Sequence, residues 1–106
     1  MFGGRSNVVD VTWSDSVCTL AVRKCLDIKN ARAVDEAVVE CLKKTPSELI
    51  ISMGAVEYID SFGVGVLISV YHKTHSKQVT FRVTGARPPV QAILRLANLH
   101  RLMTID

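Results

Sequence analysis

Ile59-Asp60-Ser61-Phe62-Gly63-Val64-Gly65 is a polar break between two apolar segments, and reading it decides how the chain is built. Ahead of it, Leu49-Ile50-Ile51-Ser52-Met53 reads as a buried strand, a short apolar run bounded by polar residues. Behind it, Val64, Val66, Leu67, Ile68, Val70 and Tyr71 spread around most of the girth of a helix that reaches about Thr74. A buried strand feeding a buried helix is the unit from which α/β domains are assembled.

The flanks extend the pattern. Val8-Val9-Asp10-Val11-Thr12-Trp13 and the segment from Val17 to Val22 are β-branched runs separated by a turn at Ser14-Asp15, so the fold begins with a hairpin. Asn30 can cap a helix from Ala31 to Lys44, whose Val34, Ala37, Val38, Cys41 and Leu42 share one face. Pro46 stops that helix, because proline cannot continue it. Val79, Phe81 and Val83 alternate within a strand from Gln78 to Thr84. Pro88-Pro89 opens a third helix with a stripe of Val90, Ile93, Leu94 and Ala97, and Leu99 to Ile105 reads as a short last strand. The order ββαβαβαβ predicts a single α/β domain with a mixed sheet of about five strands covered by helices.

A length of 106 residues suits one domain, and 48% hydrophobic content supports a packed core. The run from Val64 to Val70 is far shorter than the roughly 20 apolar residues of a membrane span. Residues 1–7 have no apolar core of a secretory signal and are expected to be a flexible tail. Cys18, Cys25 and Cys41 show no CxxC spacing, which favours reduced thiols in the cytoplasm, with Cys18 and Cys41 facing the core. A net charge of +3, scattered and without aromatic platforms, argues against nucleic-acid binding. His72 and His75 lack a third ligand at matching spacing, so neither a metal nor another cofactor is expected. Gly63-x-Gly65 is followed by Ile68 where a dinucleotide fingerprint requires glycine, and no nucleophile with a matching base is visible. These absences predict that the chain is not an enzyme.

The Asp60-Ser61 turn carries the functional reading. Asp and Ser both satisfy orphan N–H groups at a helix start, so either is a suitable cap, worth about 1 kcal/mol. Capping does not explain Gly63 and Gly65 in the first turns, where glycine costs about 1 kcal/mol relative to alanine. Without their side chains the helix start is flat and open to another protein. Phosphate on Ser61 would add about −1.5 to −2 charges there. A helix N-terminus tolerates that charge, whereas a partner packed over the glycines beside Asp60 would not. Phe62 has two readings, a core residue at the helix entry or an exposed apolar anchor.

The stretch Glu57-Tyr58-Ile59-Asp60-Ser61-Phe62-Gly63-Val64-Gly65-Val66-Leu67 resembles the central motif of STAS domains, the family of anti-sigma factor antagonists. Leu26-Asp27 with Asn30-Ala31, Val83-Thr84-Gly85 with Pro89-Val90, and Leu96-Ala97-Asn98-Leu99 match the family in the same order, covering about residues 8 to 105. The resemblance implies a STAS domain over 8–106 that binds an anti-sigma factor acting as a serine kinase of the histidine-kinase-like ATPase type. It implies phosphorylation of Ser61 and its reversal by a PP2C-type phosphatase. The partner-binding face would comprise Asp60, Ser61, Phe62 and Gly63, with Asp27 and Asn30. A rival implication is an unphosphorylated STAS subunit of a lipid-transport or stressosome-like assembly, and a homodimer is a further option. The chain departs from the family at Phe62, usually a small residue, at Ser52, commonly aspartate, and at Lys24-Cys25, commonly Gly-Glu. After the last strand the family's usual final helix is expected to be absent.

Overall fold

The computed structural model describes residues 4–5 and 8–106. They form one six-stranded sheet in which sequence order is also spatial order. The elements are β1 (Gly4–Arg5), β2 (Val9–Ser14), β3 (Val17–Leu26), α1 (Ala31–Leu42), β4 (Glu48–Ile59), α2 (Ser61–Ser76), β5 (Thr80–Thr84), α3 (Pro88–Leu96), a 3-10 turn (Leu99–Arg101) and β6 (Thr104–Ile105). The first three strands run antiparallel and the β3–β4, β4–β5 and β5–β6 pairs are parallel, giving the expected mixed sheet. Of the tail expected over 1–7, Gly4–Arg5 pairs with Val11 and Asp10, and the rest lies outside the described residues.

Period-two patterning puts one face of each strand into the core. Cys18, Leu20 and Val22 of β3, Leu49, Ile51 and Met53 of β4, and Phe81 and Val83 of β5 are all buried. Val34, Val38, Cys41 and Leu42 of α1 meet them, as do Val66, Leu67 and Val70 of α2. The two helices also touch each other, and Lys73 Nζ grips Asp35 at 2.8 Å across that contact.

Several features differ from the sequence reading, among them β3, which runs on to Leu26 instead of ending at Val22. β4 does not end at Met53. It runs on to Ile59, with burial changing from strict alternation to every third residue beyond Gly54, where the β3–β4 register slips. Lys24 sits beside a second slip, between Lys24 and Cys25, with φ of 62°, the left-handed region that favours glycine. The final segment is not one strand: Leu99–Arg101 turns as a 3-10 helix after Asn98, at φ 61°, and only Thr104–Ile105 pairs with β5. In α3 only Val90 and Leu94 are buried, whereas Ile93 and Ala97 face outward. Finally, the Asn30 side chain does not cap α1, because it is engaged elsewhere.

Candidate functional site

The site lies where the ends of β3 and β4 meet. Leu26 and Ile59 are register partners, so the chain leaves both strands side by side, toward α1 and α2 respectively. Asp60 joins the two exits. Its extended backbone makes it the cap of α2, with Oδ1 accepting from Gly63 N at 3.0 Å. Its Oδ2 accepts from Ile28 N at 3.3 Å, and its own N–H donates to Leu26 O at 3.3 Å. One carboxylate thus holds a helix start and the neighbouring loop together.

Gly63 presses on that junction. A Cβ at this position would stand 2.2 Å from Leu26 O and 2.6 Å from Ile59 Cγ1. Its lack of a side chain therefore serves internal packing, which corrects the reading of both glycines as an open surface. Gly65 does match that reading, with nothing within 4 Å of where its Cβ would be. Ser61 is the first helical residue and is exposed. Phe62 is 54% exposed, which excludes the core alternative and leaves an exposed apolar side chain at the helix start.

Asp27 and Asn30 lie beneath the surface, not on it. They are buried, and they shape the loop from inside. Asn30 Oδ1 accepts from Asp27 N at 2.8 Å while its Nδ2 donates to Cys25 O. Asp27 accepts from Lys29 N at 3.0 Å, from Cys25 Sγ at 3.4 Å and from the Tyr58 hydroxyl at 2.5 Å. These bonds fix the turn that offers Ile28, 60% exposed, beside Asp60. Sequence reasoning missed Ile28 and Tyr58 as site residues. Each is an apolar or aromatic side chain beside a turn, and only its exposure distinguishes it from a core residue.

A groove of about 390 Å³ runs from Ser61 between the two helices, walled by Ala31, Arg32 and Asp35 of α1 and by Phe62, Gly65 and Val66 of α2. Ser61 stands at its mouth. The surface is therefore a hydroxyl at a rigid helix start, flanked by exposed Ile28, Tyr58 and Phe62, with an apolar-lined groove leading away. The described residues contain no group of three or more His, Cys, Asp or Glu side chains placed to hold a metal ion.

The Tyr58–Asp27 bond has a signature in pH. Donation from Tyr58, with help from Cys25 and backbone N–H groups, holds the Asp27 carboxyl below its usual range despite its desolvation. The same bond pushes Tyr58 up to about 12 from 10.0. Because the folded chain keeps the phenolic proton longer than the unfolded one, this contribution is complete below pH 10 and disappears as pH rises toward about 12. On the acid side, Asp27 contributes above the ordinary carboxylate range and that part is lost as pH falls and it protonates. Tyr58→Phe should remove the alkaline contribution. The urea midpoint of the wild type should fall more steeply than that of the variant between pH 10 and about 12, and parallel curves would contradict the assignment.

Comparison with known proteins places this geometry. A STAS domain profile matches residues 8–106. A Thermotoga maritima protein provisionally named an anti-sigma factor antagonist is 32% identical over 86% of this chain and 81% of its own. The anti-sigma-F factor antagonist RsfB of Mycobacterium tuberculosis is 31% identical over 91% of this chain and 78% of its own. A crystal structure of a Thermotoga maritima protein of the same provisional name superposes with a TM-score of 0.84 at 29% identity, covering 90% of this chain and 82% of that one.

Proposed function

This chain belongs to the STAS domain family, and from that premise we propose that it is an anti-sigma factor antagonist switched by phosphorylation of Ser61. The observation that carries the reading is the exposed Ser61 at the first position of a helix whose start is clamped by Asp60 and Gly63. The unmodified chain binds an anti-sigma factor that is also a serine kinase, through Ser61, Phe62, Ile28 and the groove beside them. Asp27 and Asn30 support this face from below. The chain is the kinase's substrate and performs no catalysis itself. A PP2C-type phosphatase resets it, and the exchange takes place in the cytoplasm. The binding unit is the STAS domain over 8–106, with residues 1–7 as a tail.

The switch needs no conformational change in this protein. Phosphate on Ser61 would add about −1.5 to −2 charges within one residue of the Asp60 carboxylate. The unpaired N–H groups and dipole of α2 stabilise such charge, so the fold survives. A partner seated against Phe62 and Gly65 would instead have to bury that charge without a counter-ion, which costs several kcal/mol. Binding is lost while the domain stays intact.

Incubation with ATP and the cognate anti-sigma kinase should add one phosphate to the intact mass, and Ser61→Ala should add none. A kinase that binds the chain yet leaves its mass unchanged would remove the phosphoswitch. That result would favour the rival role of an unphosphorylated subunit, for which the bulky Phe62 beside the acceptor is the relevant feature.

A further inference from the structure

Away from this surface, Cys18 of β3 and Cys41 of α1 point at each other inside the core. Their sulfurs are 2.8 Å apart, and the residues are 0% and 4% exposed. Two thiols this close, on different elements and 23 positions apart in sequence, need little movement to reach the bonding distance of about 2.05 Å. Cys25, the third cysteine, is turned instead toward Asp27. We propose that Cys18 and Cys41 form a modification site, a dithiol that a small peroxide converts to an intramolecular disulfide tying β3 to α1. This goes beyond the partner-switching reading and does not depend on it.

The arrangement assigns a role to each sulfur. Cys18 donates its S–H to Cys41, an interaction that holds the proton on Cys18 and raises its pKa while lowering that of Cys41. Burial works against that lowering at Cys41, and the charge of nearby Lys44 works with it. Cys41 takes the nucleophile's role on geometry, as the acceptor of the Cys18 S–H and the less sealed of the two buried thiols. Its thiolate attacks one peroxide oxygen, breaking the O–O bond to give the sulfenic acid and hydroxide. The Cys18 sulfur then attacks the Cys41 sulfur, the S–O bond breaks, and water leaves with the Cys18 proton. In sum two thiols and one hydrogen peroxide yield one disulfide and two waters, the protein giving up two electrons and two protons. Cys25 stands apart, its Sγ bonded to Asp27 at 3.4 Å and its pKa raised by desolvation and by that bond.

The link would close a loop that contains the Asp27–Asn30 turn and the start of α1, the segment that seats Ile28 N on Asp60. Oxidation would thus stiffen one wall of the groove without touching Ser61. The test treats the full chain with hydrogen peroxide, denatures it in N-ethylmaleimide and digests it with trypsin. Peptides 6–23 and 33–43 should appear joined, and peptide 25–29 should carry the alkylated Cys25. Dithiothreitol before alkylation should restore three alkylated cysteines. Cys25→Ala should still form the link, and Cys18→Ala should not. The linked chain should unfold about 15 °C higher, as expected for a loop of this length in a domain of this size. Three alkylated thiols after peroxide, sulfinic acid on Cys41 in place of the link, or a bridge involving Cys25 would each overturn the proposal. A linked chain with an unchanged Tm would overturn its stabilising part.

Discussion

Gly63→Ala is expected to destabilise this protein by about 3 kcal/mol or more, at the upper end of what one added methyl group does to a packed interior. The size follows from what the methyl would meet. Leu26 O, 2.2 Å from the new Cβ, belongs to the backbone of β3 and accepts from Asp60 N, so it cannot rotate aside. Relief requires α2 to lift from the sheet edge, which would lengthen the Asp60 cap and the Ile28 contact together. Gly65→Ala is the matched control. Its Cβ enters open space, and replacing glycine inside a helix should stabilise the fold by about 0.5–1 kcal/mol. Urea unfolding of the two variants should therefore move in opposite directions. A Gly63→Ala midpoint within error of wild type would contradict the packing described here.

Phe62→Ala should have the reverse profile, little effect on the fold and a large one on binding. With 54% of its surface exposed, Phe62 lends little to the core, and its loss should alter stability by no more than about 0.5 kcal/mol. An aromatic anchor at the centre of an interface, by contrast, commonly carries about 2 kcal/mol, close to a thirtyfold change in affinity. This expectation rests on the proposed partner surface. Titration of the unphosphorylated variant against the anti-sigma kinase should show that loss with an unshifted melting curve. Unchanged affinity would move the interface away from the start of α2.

The two glycines of the Ser61 motif mark how far the sequence could be read. Both are equally out of place in a helix, and nothing in the one-dimensional pattern says that one meets a carbonyl and the other meets solvent. The same holds for Asp27 and Asn30. Their match to the family pattern ahead of α1 marked them as important, yet their partners are Tyr58, Cys25 and each other, supplied in part by a strand more than thirty residues later. The end of β4 was hidden because Gly54 breaks the alternation on which strand reading relies, while pairing with β3 carries the strand on regardless. In α3, Ile93 falls within the apolar stripe but only Val90 and Leu94 find neighbours.

What the sequence determined alone was the order of elements from β2 to α3, the helical and strand periods, the three crossover helices and the family motif around Ser61. These are local properties, set by side-chain spacing, proline and glycine, and they survive being read along a line. What the tertiary structure decided was which side of each motif residue faces inward. Asp60 bridges two loops, Gly63 packs on Leu26, Ser61 and Phe62 stay in solvent, and Cys18 meets Cys41. Each of these is a contact between segments distant in sequence, or the absence of one. For the contacts around Asp60 and Gly63 the physical cause is the parallel register that brings the ends of β3 and β4 together.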